Sequence, residues 1–273
     1  MIEFKLPETL VSVKETSPKD LIIVSVPKTG KTTILSALTT SALGDGMLFN
    51  LEKHGTDYVE GFFLNIYPEA TTSLQEACDN YKGYRDLLLK NKGKYKFLII
   101  DSLSALNEIS EVMGTYYYMY SVPQGKNFNR DVKTGAAFKY GDPEFRLVTT
   151  LPEGYGYAHT RKWFMDQINM FTEIAPYRIY TAHVKDKLVK NNQEEIVTGM
   201  ELNLTGKLKN ILATKVSSIC KLIAEGDKRY LSFEVDNDNI IAGSRVPHLN
   251  GQILISERLK DGTIATYWDR IYK

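Results

Sequence analysis

Short continuous apolar runs punctuate this chain, each stopping at a polar or acidic residue. Leu21-Ile22-Ile23-Val24 runs into Ser25, Met47 to Leu51 into Glu52, Phe97-Leu98-Ile99-Ile100 into Asp101, and Arg178 to Ala182 into His183. Runs without polar alternation are expected of parallel strands covered on both faces. Helical spacing lies between them: Leu74, Ala77, Cys78, Tyr81, Tyr84 and Leu88 share one face of a helix over 74–89, closed by Lys90-Asn91-Lys92-Gly93. A helix over 34–40 and another over 157–175 complete the alternation. Beyond residue 205 the pattern turns strand-rich, at 216–224, 229–235 and 252–256. This predicts an α/β fold: a mostly parallel twisted sheet flanked by helices, with antiparallel strands at the C-terminal end. The whole of 1–273 reads as a single domain. Residues 1–19 form a lead-in with a possible edge strand at Val11-Ser12-Val13, 107–155 form an insertion without clear periodicity, and 205–273 form the β-rich end.

The first apolar run feeds directly into Ser25-Val26-Pro27-Lys28-Thr29-Gly30-Lys31-Thr32-Thr33 and then a helix. A glycine-bearing turn between a buried strand and a helix N-terminus offers successive backbone N–H groups and the positive end of a helix dipole, as a triphosphate needs. The spacing G-x-x-x-x-G-K-[ST] is met except at its first position, where Ser25 stands. In such a loop Ser25, Pro27, Lys28, Thr29, Gly30 and Thr33 shape the cradle. Lys31 reaches the β- and γ-phosphates, and the Thr32 hydroxyl joins the shell of a Mg2+ ion that retains several waters. The expected ligands are ATP and Mg2+, although the loop reads phosphates rather than the base.

Composition narrows the class without choosing a function. Apolar residues make up 43% and charged residues 25%, as in ordinary globular domains, and the net charge of +1 means that any nucleic-acid site has to be local. Cys78 and Cys220 lack metal-ligand spacing and read as buried thiols of a reducing compartment. No apolar run approaches the ~18 residues of a membrane span, and the N-terminus lacks a secretory pattern. A cytoplasmic protein without membrane contact is expected.

Ligands of open α/β sheets gather beyond the carboxyl ends of the strands. Asp101, Glu52 and His183 all follow strands immediately and are therefore expected beside Lys31 and Thr32. Asp101, next to Ser102, is placed to hold the Mg2+ shell. Glu52 is placed to orient and deprotonate an attacking water, although a turn glutamate beside Lys53 has the same signature. His183 is placed to sense the γ-phosphate and relay its loss to the following loop; a structural strand-end histidine is the plainer alternative.

The order of these segments resembles the RecA-like recombinase ATPases: Ser25–Thr33, then Phe49-Asn50-Leu51-Glu52-Lys53-His54, then Leu98 to Leu106. In that family the glutamate after the second core strand activates water, and Asp-Ser closes the metal-binding strand. Tyr180-Thr181-Ala182-His183, Leu204 to Asn210 and Ala242-Gly243-Ser244-Arg245-Val246-Pro247 resemble its phage-encoded, Sak-type single-strand-annealing branch. The resemblance spans roughly 20–257 with a gap over 107–155. It implies a RecA-like P-loop core and a DNA-stimulated ATPase of phage-type recombination, annealing or replication, in the host cytoplasm if phage-encoded. It further implies self-association into a ring or filament, and single-strand-binding or other recombination proteins as companions. By resemblance, Arg245 is the cation set against a neighbour's γ-phosphate, with Lys209 second.

Single-stranded DNA is the expected partner. Tyr116-Tyr117-Tyr118-Met119-Tyr120 precede Lys126, Arg130, Lys133, Lys139 and Arg146, five bases against three acids over 126–146. Aromatics beside bases suit a single-strand platform; a hairpin packing its tyrosines on the core is the alternative. Lys207, Lys209 and Lys215 follow a glycine turn and suit either a second DNA loop or a subunit boundary. Two other classes share the phosphate loop: a small-molecule or nucleotide kinase, and a nucleotide-switched binding module without turnover.

Overall fold

Strand β1 (Asp20–Ser25) and helix α1 (Lys31–Thr39) flank the glycine-bearing loop. They are followed by β2 (Gly46–Asn50), β3 (Phe63–Asn65), α2 (Leu74–Lys90), β4 (Phe97–Asp101), α3 (Leu103–Ser121), α4 (Gly156–Ile174), β5 (Tyr177–Lys190) and β6 (Glu195–Leu202). Helix α5 (Leu208–Lys215) precedes β7 (Ser218–Glu225), β8 (Lys228–Ser232), β9 (Gly243–Ser244), β10 (Gln252–Arg258) and β11 (Ile264–Thr266). This computed structural model describes residues 15–53, 55–66, 73–190, 195–234 and 242–273, with the backbone alone at 186–190 and 195–200. The edge strand expected at 11–13 lies outside the described residues.

Strands β3, β2, β4, β5, β1 and β7 lie side by side and parallel. Antiparallel β8, β10 and β11 continue the sheet beyond β7. The expected α/β architecture with its antiparallel C-terminal end is therefore the observed one. Successive residues of a strand face opposite sides, so each apolar run serves two cores. Leu21 and Ile23 face α1, Trp268 and Ile271; Ile22 and Val24 face α2 to α5. These four side chains are essentially inaccessible to water, and full burial of each contributes about 1.5–3 kcal/mol. At the amino end of the sheet the Arg178 guanidinium grips Asp20 through Nε (2.9 Å) and Nη2 (2.6 Å), which pins β5 to β1 in register.

Two elements depart from expectation. Residues 103–121 are one helix, so the tyrosine run is the outer end of α3. That helix packs against α4 so closely that a Cβ on Gly114 would stand 3.0 Å from the Thr160 nitrogen. Tyr118 is buried with Phe128 and Val148 in a small core of its own. Residues 122–155 fold over this end of the helix pair. Buried Asn129 donates to the Arg146 carbonyl (2.9 Å) and accepts from its amide (2.7 Å), and the Val148 amide donates to Thr115 Oγ1 (2.8 Å). Strand β5 also runs seven residues past His183, leaving the sheet to pair with β6 as a two-stranded ribbon from Val184↔Leu202 to Lys190↔Glu195.

Candidate active site

Parallel register brings the strand ends together: Ser25 lies opposite His183, and Asn50 opposite Asp101. Helix α1 starts at Gly30, with φ +92° and no side-chain cap. Its first-turn amides therefore lack helical partners, the arrangement that binds anions. A glycine suits that backbone angle, whereas any Cβ would be strained there. Thr29 Oγ1 closes the loop on the Val26 carbonyl at 3.0 Å. Pro27 and Lys28 are exposed, and Lys28 itself has φ +64°. Ser25, at the first loop position, is buried, and its hydroxyl has no partner among the described residues.

Arg229 on β8 reaches the loop from outside. Its Nε donates to the Thr29 carbonyl (2.9 Å), while Nη1 donates to the carbonyls of Gly226 (2.7 Å) and Lys228 (2.8 Å). A trans peptide points its C=O and N–H oppositely, so drawing the Thr29 carbonyl outward turns the Gly30 amide inward. Sequence reasoning missed Arg229. It sits 200 residues from its partner, and only the sheet order carries it there. A pocket of about 130 Å³ opens beside it, between Gly30, Thr33 and Ile34 of the loop and helix, Asp227 of the β7–β8 turn, and Ser256 and Arg258 of β10.

Inside the loop the predicted residues form one connected group. Lys31 Nζ lies 3.3 Å from His183 Nδ1, and His183 Nε2 lies 2.7 Å from Glu52 Oε1. An ammonium can only donate. Nδ1 is thus the acceptor, and Nε2 carries the proton given to Glu52. The Ser102 hydroxyl donates to the same Glu52 oxygen, and Ser102 Oγ accepts from the Ala105 amide to cap α3. Asn50, buried at the end of β2, aims the glutamate: its Oδ1 accepts from the Glu52 amide (3.1 Å), and its Nδ2 donates to Asn65 Oδ1 (3.1 Å). An asparagine closing an apolar strand is the signal that could have revealed this role. The peptide between Asp101 and Ser102 is cis.

Asp101 is 1% exposed. Thr181 Oγ1 donates to its Oδ1 at 2.5 Å, and Thr32 Oγ1 to its Oδ2 at 3.4 Å. Burial raises the Asp101 pKa above the ordinary carboxylate value, against the Thr181 hydrogen bond and with the help of the Glu52 charge. Burial likewise pushes Glu52 up, but hydrogen bonds from His183 and Ser102 outweigh it and hold Glu52 below its usual range. Burial lowers Lys31, against the attraction of Asp101 and Glu52. Two carboxyl groups thus face one ammonium, a balance that suits an added cation. Asp101 and Thr32 supply hard oxygens of the kind Mg2+ takes. Among the described residues no cluster of three His, Cys, Asp or Glu could hold a metal unaided. The remaining ligands would be phosphate oxygens and water.

Arg245 stands apart. Its amide donates to the Ser217 carbonyl (3.0 Å), its Nη2 to the Thr214 carbonyl (2.8 Å), and the Ser217 amide donates to Asp20 at the amino end of β1. That is the end of the sheet opposite the loop. Lys209 is tied to Glu201 beside the root of the ribbon. Of the expected DNA contacts, Tyr118 is core and Arg130 is spent on the Lys126 and Gly135 carbonyls, whereas Tyr120 and Lys126 are exposed.

A glycine-bearing loop at the head of α1, with the Asp101 and Glu52 carboxyl groups at neighbouring strand ends, marks a P-loop nucleotide-binding domain. The chain belongs to the family described as AAA domain, whose model matches residues 17–246. No curated protein matches it significantly in sequence. Among solved structures it is similar to the RadB recombinase at 11% identity and TM-score 0.41, covering 92% of each chain. It is also similar to an ATPase from the type III secretion system of pathogenic bacteria at 13% identity and TM-score 0.40, covering 86% of this chain and 60% of the other. No helix among the described residues is long and apolar enough to cross a membrane.

Proposed function

We propose that the protein is a RecA-like ATPase that binds and hydrolyses ATP and acts as an oligomer on single-stranded DNA, in phage-type recombination, annealing or replication. The chain of contacts from Lys31 through His183 to Glu52 carries this reading, because it links a phosphate-binding ammonium to a carboxylate held ionised. The loop amides and Lys31 bind the β- and γ-phosphates, and the nucleoside extends into the pocket beside Arg229. Thr32 and Asp101 hold Mg2+, which neutralises phosphate charge when bound. Glu52 orients water in line with the γ-phosphorus and takes its proton. As Lys31 swings to the phosphates it gives up His183 Nδ1, which frees the imidazole to turn its Nε2–H from Glu52 to a γ-phosphate oxygen. His183 lies where β5 leaves the sheet, so the γ-phosphate and the ribbon share one residue.

Arg245 serves the site of a neighbouring copy, since its position excludes its own loop. Head-to-tail contacts of this kind build rings or filaments. The exposed tyrosines and lysines of 117–139 form the strand-binding surface together with the ribbon. ATP hydrolysis by parent and Glu52→Gln protein, with and without single-stranded DNA, tests the reading. Release of free phosphate that rises with DNA and is lost in the variant is expected. Unchanged turnover in Glu52→Gln removes the water-activating role, DNA-indifferent turnover removes the DNA role, and a phosphorylated acceptor makes the protein a kinase.

A further inference from the structure

A cleft outside the phosphate site lies on the helical face, with a volume of about 340 Å³. Its walls come from Arg85 on α2, Tyr117 near the end of α3, and His159, Lys162, Trp163 and Gln167 on α4. Three features mark it as more than a gap between helices. Arg85 has no protein partner among the described residues, although Asp166 on the same wall is taken by Lys162 at 2.8 Å. Gln167 is 7% exposed, and its amide likewise has no hydrogen bond among the described residues. Gln167 lines the cleft, and its unpartnered amide is open to a ligand or water there. Tyr117 and the half-buried Trp163 add aromatic surface.

We propose that this cleft binds a nucleotide, its base against the aromatic walls and the Gln167 amide, its phosphate on Arg85. An acidic peptide side chain would satisfy the arginine but leave two aromatic surfaces and a buried amide without use. An apolar ligand would leave both polar groups unpaired. A nucleotide has a π-face, an edge of mixed donors and acceptors that an amide can match, and an anion. The volume falls at the lower end of the ~300–1,000 Å³ typical of small-molecule pockets, enough for one such unit. That unit is either a free mononucleotide or one residue of a single strand, and both present the same chemistry.

The molecule carries its own probe. Of its two tryptophans, Trp163 lines the cleft, whereas Trp268 is sealed in the core against α1. Tryptophan fluorescence is titrated with dAMP and, separately, with oligodeoxythymidylate in full-length Lys31→Ala protein, which removes binding at the phosphate loop. Saturable quenching is expected, abolished by Trp163→Phe and weakened about tenfold by Arg85→Ala, with Gln167→Leu as a second variant. Quenching by dAMP identifies a free-nucleotide site, and quenching by the oligomer alone identifies a site for a base within a strand. No quenching by either probe overturns the proposal. So does equal quenching by inorganic pyrophosphate, or affinity indifferent to both Arg85→Ala and Gln167→Leu. Since the loop is disabled throughout, failure here leaves the hydrolysis reading untouched.

Discussion

Asp101 shows what a buried carboxyl group costs the fold at neutral pH. Its carboxyl group is buried and its pKa is raised, so the folded chain holds the proton more tightly than the unfolded one. Its contribution to stability is therefore lost as pH rises through the window between the unfolded and the folded value. At neutral pH, Asp101→Asn should raise the Tm of the ligand-free protein by about 2–4 °C, the equivalent of ~1 kcal/mol, and abolish Mg2+-dependent ATP binding; scanning calorimetry with and without Mg·ATP checks both. Glu52 has the opposite sign. Its pKa is lowered, so its contribution is present above the unfolded value and lost as pH falls through the folded one. The acid limb of kcat/KM should accordingly lie below the ordinary glutamate range near ~4.3, and a limb above that range would contradict its pairing with His183. Lys31, Thr32, Glu52, Asp101 and His183 were all legible in the sequence, because each stands at a strand end or a helix start. Arg229 was not, since nothing local to Lys228-Arg229-Tyr230 points to a loop 200 residues earlier. Arg229→Ala should weaken ATP binding about tenfold, ~1.4 kcal/mol, with little change in kcat; calorimetric titration against the parent measures it.

The central strands were readable because burial on both faces demands unbroken apolar runs. Helix α3 was harder to read: Tyr116, Tyr117, Tyr118 and Tyr120 differ in environment, and their aromatic sameness hides the helical period. Tyr118 is core, Tyr116 donates to Gln75 at 2.8 Å and sets its ring, tilted by 42°, 4.7 Å from that of Tyr120, and Tyr117 faces the cleft. The extension of β5 was equally hidden, since a ribbon away from the sheet needs no apolar run. Close packing of α3 on α4 depends on Gly114, where the crowding atoms are backbone. Gly114→Ala should cost about 1–3 kcal/mol through overpacking, seen in denaturant unfolding. Asn129→Ala should cost a similar ~1–3 kcal/mol, because it removes a buried side chain that bonds both the amide and the carbonyl of Arg146. An undiminished midpoint in Gly114→Ala would contradict the close packing of α3 on α4, and in Asn129→Ala the folding of 122–155 onto the helix pair.

For the molecule as a whole, the position of Arg245 bears on assembly. It lies at the end of the sheet opposite the phosphate loop, so a catalytic role requires a second copy stacked head to tail. Arg245→Ala and Glu52→Gln proteins, each nearly inactive alone, should recover ATPase activity when mixed, because some mixed contacts join an intact Glu52 to an intact Arg245. Absence of recovery, with association demonstrated by light scattering, would remove Arg245 from the site. All of this presupposes that triphosphate is held by the amides around Gly30 and by Lys31. Equilibrium binding of labelled ATP to parent and Lys31→Ala protein tests that most directly: affinity should fall by at least about a hundredfold, ~2.7 kcal/mol, and retention as tight as the parent's would contradict the account.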